Sequence, residues 1–169
     1  MNTNILLRNS VAAFLSNNGK YLLMKRSESR AYIPGYWSGV GGHMEPQEIN
    51  DPQSACYREI EEETGIGKTE IPSLDLLYII IRRGKDEIRQ SYIYFGETSK
   101  TEVIQTDEDS LFWIDEKEFL AREYTKTFAA MLEHYTKRLR DDRAVYVGAA
   151  ENDNGRLRMN WSRCEDYER

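Results

Sequence analysis

Four glutamates fall within five consecutive positions of the stretch REIEEETGI, residues 58–66. On a helix, Glu59, Glu62 and Glu63 stand at i, i+3 and i+4 and therefore share one face. Like charges at this spacing repel each other and weaken an isolated helix. A cation among them would turn that repulsion into ligation, and hard divalent cations such as Mg²⁺ and Mn²⁺ prefer oxygen ligands. The pattern predicts either a site for Mg²⁺ or Mn²⁺ or a solvated acidic helix face.

A glycine-rich segment just upstream favours the metal site. The segment WSGVGGHMEPQE, residues 37–48, places Gly41 and Gly42 in a turn between a predicted strand and the start of the helix. Glycines without a Cβ let the backbone approach a metal ion or a phosphate closely. A pair of glycines alone is weak evidence, but here Glu48 and then the glutamates follow at defined distances.

Two helices are predicted. Asp51 is a suitable N-cap, Pro52 suits the first helical position, and Gly65 suits the residue after the last turn. The glutamates therefore lie on the second half of this first helix. A second helix is predicted over about 125–140, because its apolar residues recur at helical spacing. Those residues are Phe128, Met131, Leu132, Tyr135 and Leu139.

Strands account for most of the remaining chain. Asn18-Gly19 between two apolar runs predicts a hairpin with a type I′ turn. Further hairpins are predicted around 84–86 and 153–155, and a short strand over 111–114. Many strands with two packed helices predict an α+β or α/β sandwich with a mixed sheet.

Composition narrows the possible partners. The chain has 169 residues, which predicts one domain. Its formal net charge of -6 disfavours non-specific binding to nucleic acid. No apolar run approaches the length of a membrane span, so we expect no membrane partner and a cytoplasmic location. Cys56 and Cys164 form no CxxC pair and indicate no disulfide framework. We expect Cys56 to be buried in the first helix.

The motif resembles the signature of the Nudix hydrolase family, which reads G, five residues, E, seven residues, then REUxEExGU with U aliphatic. The matching positions are Gly42, Glu48, Arg58, Glu59, Ile60, Glu62, Glu63, Gly65 and Ile66. One departure is that nine residues, not seven, separate Glu48 from Arg58, which puts in doubt how these two side chains meet. The resemblance covers about 5–142, and it leaves 143–169 unexplained. That C-terminal hairpin could extend the sheet, cap the pocket or form a homodimer contact.

The resemblance implies one Nudix domain over 1–169, folded as an α/β/α sandwich with a mixed β-sheet and a loop-helix-loop catalytic motif. It implies hydrolysis of a diphosphate linkage in a small nucleotide with Mg²⁺ or Mn²⁺. Glu59, Glu62, Glu63 and the Gly41 carbonyl would bind metal, with Glu108 as a further ligand from the TDEDS segment at 106–110. Among the glutamates, Glu59 is our first choice of general base. Arg58 would orient Glu59 and pair with Glu48.

Substrate contacts are harder to assign from sequence. Arg26 ends a predicted strand near the motif and is a candidate for phosphate binding, although it also suits a surface position. Trp37 could stack on a base or belong to the core. Tyr92 could line the pocket or pack within the sheet.

Several functions fit these residues. A nucleoside triphosphate pyrophosphohydrolase of the MutT type is favoured, and an ADP-ribose or nucleotide-sugar pyrophosphatase is the alternative. A Nudix module that senses nucleotides without hydrolysis belongs to another class, and such modules often lack the metal glutamates. An isopentenyl-diphosphate isomerase-like reaction would need a cysteine facing the substrate, and neither cysteine lies in an obvious motif for it.

Overall fold

Eight β-strands form one mixed sheet in the part of the chain that the structure describes. The structure is a computed structural model, and it describes residues 4–29, 34–105, 109–138 and 142–166. The strands are β1 (Leu6–Asn17), β2 (Lys20–Arg26), β3 (Trp37–Ser38), β4 (Ser73–Arg83), β5 (Glu87–Glu97), β6 (Asp109–Asp115), β7 (Val145–Asp153) and β8 (Arg156–Cys164). The helices are α1 (Pro52–Thr64), α2 (Glu116–Phe119) and α3 (Lys126–Lys137).

The strands follow the order β3-β2-β1-β5-β4-β7-β8, and β6 pairs with β2. The β1–β5 and β4–β7 pairs are parallel, whereas the remaining pairs are antiparallel. The predicted hairpins are confirmed. In the first, Asn18 and Gly19 have φ angles of 48° and 75°, as a type I′ turn requires. Asn154 and Gly155 have φ angles of 51° and 84° in the hairpin that joins β7 and β8.

Helix α1 begins and ends where the sequence predicts. The Asp51 carboxylate accepts a hydrogen bond from the backbone N–H of Ser54, 3.1 Å away, and Pro52 is the first helical residue. Gly65 follows the last turn with a φ of 75°, and its N–H donates to the carbonyl of Glu61. Both ends of the helix that carries the glutamates are therefore fixed by local chemistry.

Two apolar cores lie on opposite faces of the sheet, because successive side chains of a strand alternate between faces. Val11, Ala13 and Leu15 of β1 pack toward α1. Ala12 and Phe14 pack toward α2 and α3. The structure is thus an α/β/α sandwich, as expected. The short helix α2 is not apparent from the sequence. The predicted core residue Leu139 lies outside the described residues.

The C-terminal hairpin extends the sheet, because β7 pairs with β4. An aromatic cluster fixes it to α3. His134 Nδ1 lies 2.9 Å from the Tyr78 hydroxyl, and the His134 ring centroid lies 4.8 Å from those of Tyr146 and Trp161. Burial, together with the nearby positive charge of Arg138, lowers the pKa of His134. Among the described residues, no helix combines the length and the apolar character that crossing a membrane requires.

Candidate active site

The guanidinium of Arg58 connects the parts of the motif. Its Nε and Nη2 donate to the two carboxylate oxygens of Glu48 at 2.7 and 2.8 Å. Its Nη1 donates to Glu59 at 2.9 Å and to Glu62 at 3.0 Å. Its Nη2 also donates to the carbonyl of His43 at 3.2 Å. One side chain therefore links the glycine loop to two of the three glutamates of α1 that are candidate metal ligands.

The two additional residues of the motif do not separate Glu48 from Arg58. Glu48 ends a 3-10 turn, and the exposed residues Ile49 and Asn50 form a turn before Asp51 caps α1. The Asp51 N–H donates to the Glu48 carbonyl at 2.8 Å, which closes this turn. The hydrogen bonds from Arg58 lower the pKa of Glu48 to about 2. The expected pair is present with a paired geometry that suits a carboxylate and a guanidinium.

The glycine loop runs alongside β1. The N–H of Ala13 donates to the Val40 carbonyl at 2.7 Å, and that of Val11 donates to the Gly42 carbonyl at 2.9 Å. A Cβ on Gly41 would lie 2.1 Å from the Val11 carbonyl oxygen, so only glycine fits there. The loop carbonyls that accept these hydrogen bonds belong to Val40 and Gly42, and the Gly41 carbonyl between them remains a predicted oxygen ligand.

Glu59 is held against this loop. A Cβ on Gly42 would lie 2.4 Å from Glu59 Oε2, so the absence of a side chain at Gly42 makes room for the carboxylate. Glu59 is only 8% exposed. Burial raises its pKa, whereas the hydrogen bond from Arg58 acts in the opposite direction. A buried carboxylate with a raised pKa is a reasonable acceptor for a proton.

The donor set fits a hard divalent cation in its chemistry. Carboxylate oxygens of Glu59 and Glu62 are neighbours, because they share the same Arg58 nitrogen as donor. Glu63 follows on the same helix face, and the Gly41 carbonyl adds a neutral oxygen. In the described ranges, no three acidic, histidine or cysteine side chains already stand in a metal-binding arrangement. Arg58 lies between Glu59 and Glu62 in this conformation.

The glycine loop also lines a cavity of about 480 Å³. It is lined by Gly41 and Gly42, so it adjoins the Glu59 carboxylate. Its walls combine apolar side chains with arginines, which suits a ligand with an apolar ring and negative charge. The wall residues include Arg8, Ser10, Met24, Arg26, Trp37, Ile80, Arg82, Arg89, Ser91 and Phe128.

Two of the three predicted substrate residues reach this cavity. Arg26 lines it, and its Nε is buried without a hydrogen-bond partner. Trp37 also lines it, but its ring packs against Phe112 and the Arg122 guanidinium, with centroid distances of 5.3 and 5.2 Å. Tyr92 packs in the core on the α1 face and does not line this cavity.

The segment predicted to supply a late acidic ligand is only partly described. Glu108 and Asp107 lie outside the described residues. Asp109 is buried, and its carboxylate accepts a hydrogen bond from the Ser27 N–H at 2.9 Å. Cys56 is fully buried in the α1 core, where burial raises the pKa of its thiol, and it does not line the cavity.

A glutamate-bearing helix packed beside a glycine loop, within a mixed sheet, defines a Nudix-type hydrolase fold. The chain belongs to this family, because the model of the NUDIX domain matches residues 6–160. The match continues past residue 142, where we expected the resemblance to end, and into β8. The chain is thus a hydrolase of phosphoanhydride bonds, and its family acts on small nucleotides and generally uses divalent metal ions.

Particular relatives agree with this assignment. Nucleoside triphosphatase NudI of Escherichia coli O1:K1 is 34% identical over 109 residues, or 60% of this chain and 76% of that protein. NudI of Enterobacter sp. (strain 638) is 45% identical over 58 residues, which cover 34% of this chain and 40% of that protein. The crystal structure of a MutT protein from Bacillus halodurans has a TM-score of 0.71 at 17% identity, over 91% of this chain and 97% of that one, and it supports the fold.

Proposed function

We propose that this chain hydrolyses a nucleoside triphosphate to the monophosphate and pyrophosphate, in a reaction that depends on Mg²⁺ or Mn²⁺. The observation that carries the proposal is that Gly42 contacts the buried Glu59 carboxylate and also lines the arginine-containing cavity. A nucleotide in the cavity would therefore bring its phosphate chain to the glutamates.

Residues of this chain would position the reacting groups and accept the proton that the reaction releases. A water molecule attacks a phosphorus atom, a new P–O bond forms, and the bridging P–O bond to the leaving pyrophosphate breaks. Glu59 is our candidate acceptor for the proton that the water loses, because its carboxylate is buried against the glycine loop. Arg58 holds Glu59 in place, and Glu48 anchors Arg58 from the opposite side.

Oxygen ligands for the cation would come from Glu59, Glu62, Glu63 and the Gly41 carbonyl, with Glu108 as a further candidate. A divalent cation bound there would offset the charge of the phosphates and lower the pKa of water. Arg26, with its unpartnered buried Nε, would donate to a phosphate oxygen on the cavity side. Trp37 would provide an apolar surface at the cavity wall.

The triphosphate is preferred over ADP-ribose or a nucleotide sugar for two reasons. The relatives above carry the name nucleoside triphosphatase. Four arginines also line one cavity, which suits a substrate with several negative charges. The alternative substrates are ADP-ribose and nucleotide sugars. The alternative that is not an enzyme is a Nudix module that senses nucleotides without hydrolysis.

The proposal is tested by measuring phosphate release with Mg²⁺, Mn²⁺ or EDTA. The substrates are nucleoside triphosphates, ADP-ribose, a nucleotide sugar and a dinucleoside polyphosphate, with an added pyrophosphatase or phosphatase to reveal the product. We expect metal-dependent turnover of triphosphates by the wild type and its loss in Glu62→Gln, with the exposed Glu61→Gln as the matched control. Turnover of only the diphosphate-linked substrates would overturn the substrate assignment. Absence of any turnover in folded protein would favour the sensing module.

A further inference from the structure

Three arginines lie side by side across three neighbouring strands. In the register of the sheet, Arg89 of β5 is paired with Arg8 of β1 on one side and with Arg82 of β4 on the other. All three side chains line the cavity described above. We call these residues the arginine row.

The next residues on the same face form the cavity floor. Two positions farther along the strands, Ser91 is paired with Ser10 and with Ile80. The two serine hydroxyls lie 2.8 Å apart. On the same face, the arginine row is thus followed by two serines and an isoleucine that also line the cavity.

Such a row is costly for the sheet by itself. Directly opposed residues on neighbouring strands have Cβ atoms about 5 Å apart, and like charges at that distance are destabilising. Glu87 offsets part of this repulsion, since its carboxylate forms ion pairs with Arg8 and Arg89. Guanidinium groups are also suited to bidentate contacts with phosphate oxygens. An anion over the row would offset the repulsion and use this geometry.

A second observation indicates an anionic ligand in the same cavity. The Nε of Arg26 is buried and has no hydrogen-bond partner. Arg26 is in phase with Leu22 and Met24, which pack toward α1, so it lies on the glutamate side of the cavity. The cavity therefore presents cationic groups at two separate places.

We infer that the arginine row is a subsite for a phosphate group that lies outside the cleaved linkage. This inference rests on the proposed function and deepens it. The N–H of Val11 donates to the glycine loop. Arg8 lies three residues before Val11 on β1, which is roughly 10 Å at about 3.4 Å per residue. A diphosphate held at the glutamates does not occupy the row, so the ligand proposed for the row is a further phosphate of the same substrate.

Two sources could supply this phosphate. It is either the third phosphate of a triphosphate chain or a phosphate on the nucleoside itself. Both present the same dianionic oxygens to the row, and substrates that carry only one of them distinguish the two.

The first test measures binding without turnover. Thermal unfolding is followed in EDTA with increasing inorganic pyrophosphate, for the wild type, Arg82→Gln, Arg89→Gln and Arg163→Gln. Arg163 is an exposed arginine of β8 that pairs with Glu165 and serves as the charge-matched control. We expect pyrophosphate to raise the Tm of the wild type and the control, and the apparent Kd to increase at least tenfold in the two row variants.

The Tm of each variant without pyrophosphate shows whether that variant folds. If Arg89→Gln does not fold, Arg82→Gln and Arg89→Lys decide the matter, and the lysine variant should keep charge but bind more weakly. Equal pyrophosphate binding in all four proteins, or an equal loss in Arg163→Gln, would overturn the subsite.

The second test uses three substrates: a nucleoside triphosphate, the matching diphosphate, and that diphosphate with an added 3′-phosphate. We expect Arg82→Gln to raise KM at least tenfold for one of the two substrates with an extra phosphate, and to leave the KM of the diphosphate unchanged. The affected substrate identifies the source. A uniform change across all three, or no change, would refute the assignment. Because pyrophosphate binding is measured without catalysis, the first test can support or refute the subsite even if the proposed hydrolysis is not found.

Discussion

Replacement of Gly42 by alanine would test how activity depends on the position of the Glu59 carboxylate, because it changes the geometry of the site and leaves its charge unchanged. The new Cβ would lie 2.4 Å from Glu59 Oε2 and 2.7 Å from its Cδ, whereas ordinary contacts begin near 3.4 Å. Glu59 must therefore move by about 1 Å, since the loop backbone is fixed by its hydrogen bonds to β1. No charge, metal ligand or cavity arginine is removed by this substitution.

The size of the effect follows from that displacement. A misplacement of about 1 Å at a reacting group costs on the order of 10²-fold in rate, which corresponds to about 2.7 kcal/mol. The loss of stability should be smaller. At most the hydrogen bond between Arg58 and Glu59 is lost, which is worth about 2 kcal/mol, while both bonds to Glu48 remain.

The assay compares kcat/KM with urea denaturation for the wild type, Gly42→Ala and Gly67→Ala. Gly67 is the matched control, because the nearest atom to its added Cβ would be 3.8 Å away and its φ of -76° suits any residue. We expect the control to keep full activity and stability. Full activity in Gly42→Ala would refute the view that Glu59 must lie against the loop. An activity loss explained entirely by unfolding would also contradict it.

Three further predictions concern metal, pH and thiol chemistry. Mg²⁺ or Mn²⁺ should raise the Tm by ligand linkage, and Glu59→Gln should reduce that rise; an equal rise in both proteins would argue against Glu59 as a ligand. The pKa of His134 is lowered in the folded protein, so the unfolded chain binds protons more readily. The contribution of His134 to stability should therefore be full above about pH 6.5 and decrease as the pH falls below it. Urea denaturation at several pH values should show a weaker dependence of stability on pH in His134→Gln. A thiol reagent should modify only the exposed Cys164 in the native chain and Cys56 after unfolding, and a reaction of native Cys164→Ser would contradict the burial of Cys56.

Much of the fold is local in origin and could be predicted from the sequence. The turn at Asn18-Gly19 and the cap at Asp51 depend on residues a few positions apart, so their signals survive without tertiary information. The same holds for the helix face that carries Glu59, Glu62 and Glu63, which is a consequence of helical spacing alone. These elements appear in the structure at the expected positions.

Features that depend on strand pairing could not be predicted in this way. Arg8 is far in sequence from Arg82 and Arg89, and only the parallel pairing of β1 with β5 brings it into their row. A partial signal existed, since Arg82 and Arg89 are nearly symmetric about the predicted hairpin at 84–86. For a related reason the sequence left two alternatives open for Tyr92, because alternation gives two faces but does not say which one borders the cavity.

The turn between Glu48 and α1 shows where this motif tolerates a change in length. Ile49 is 48% exposed, and neither Ile49 nor Asn50 belongs to either core. Lengthening a segment from seven to nine residues adds roughly 0.2 kcal/mol of closure entropy, whereas a single slip in β1 would exchange the two faces of the sheet. This chain keeps the contact between the Arg58 and Glu48 side chains although two more residues separate them than in the signature. A search pattern with a variable gap at this point would therefore recover members that a fixed pattern rejects.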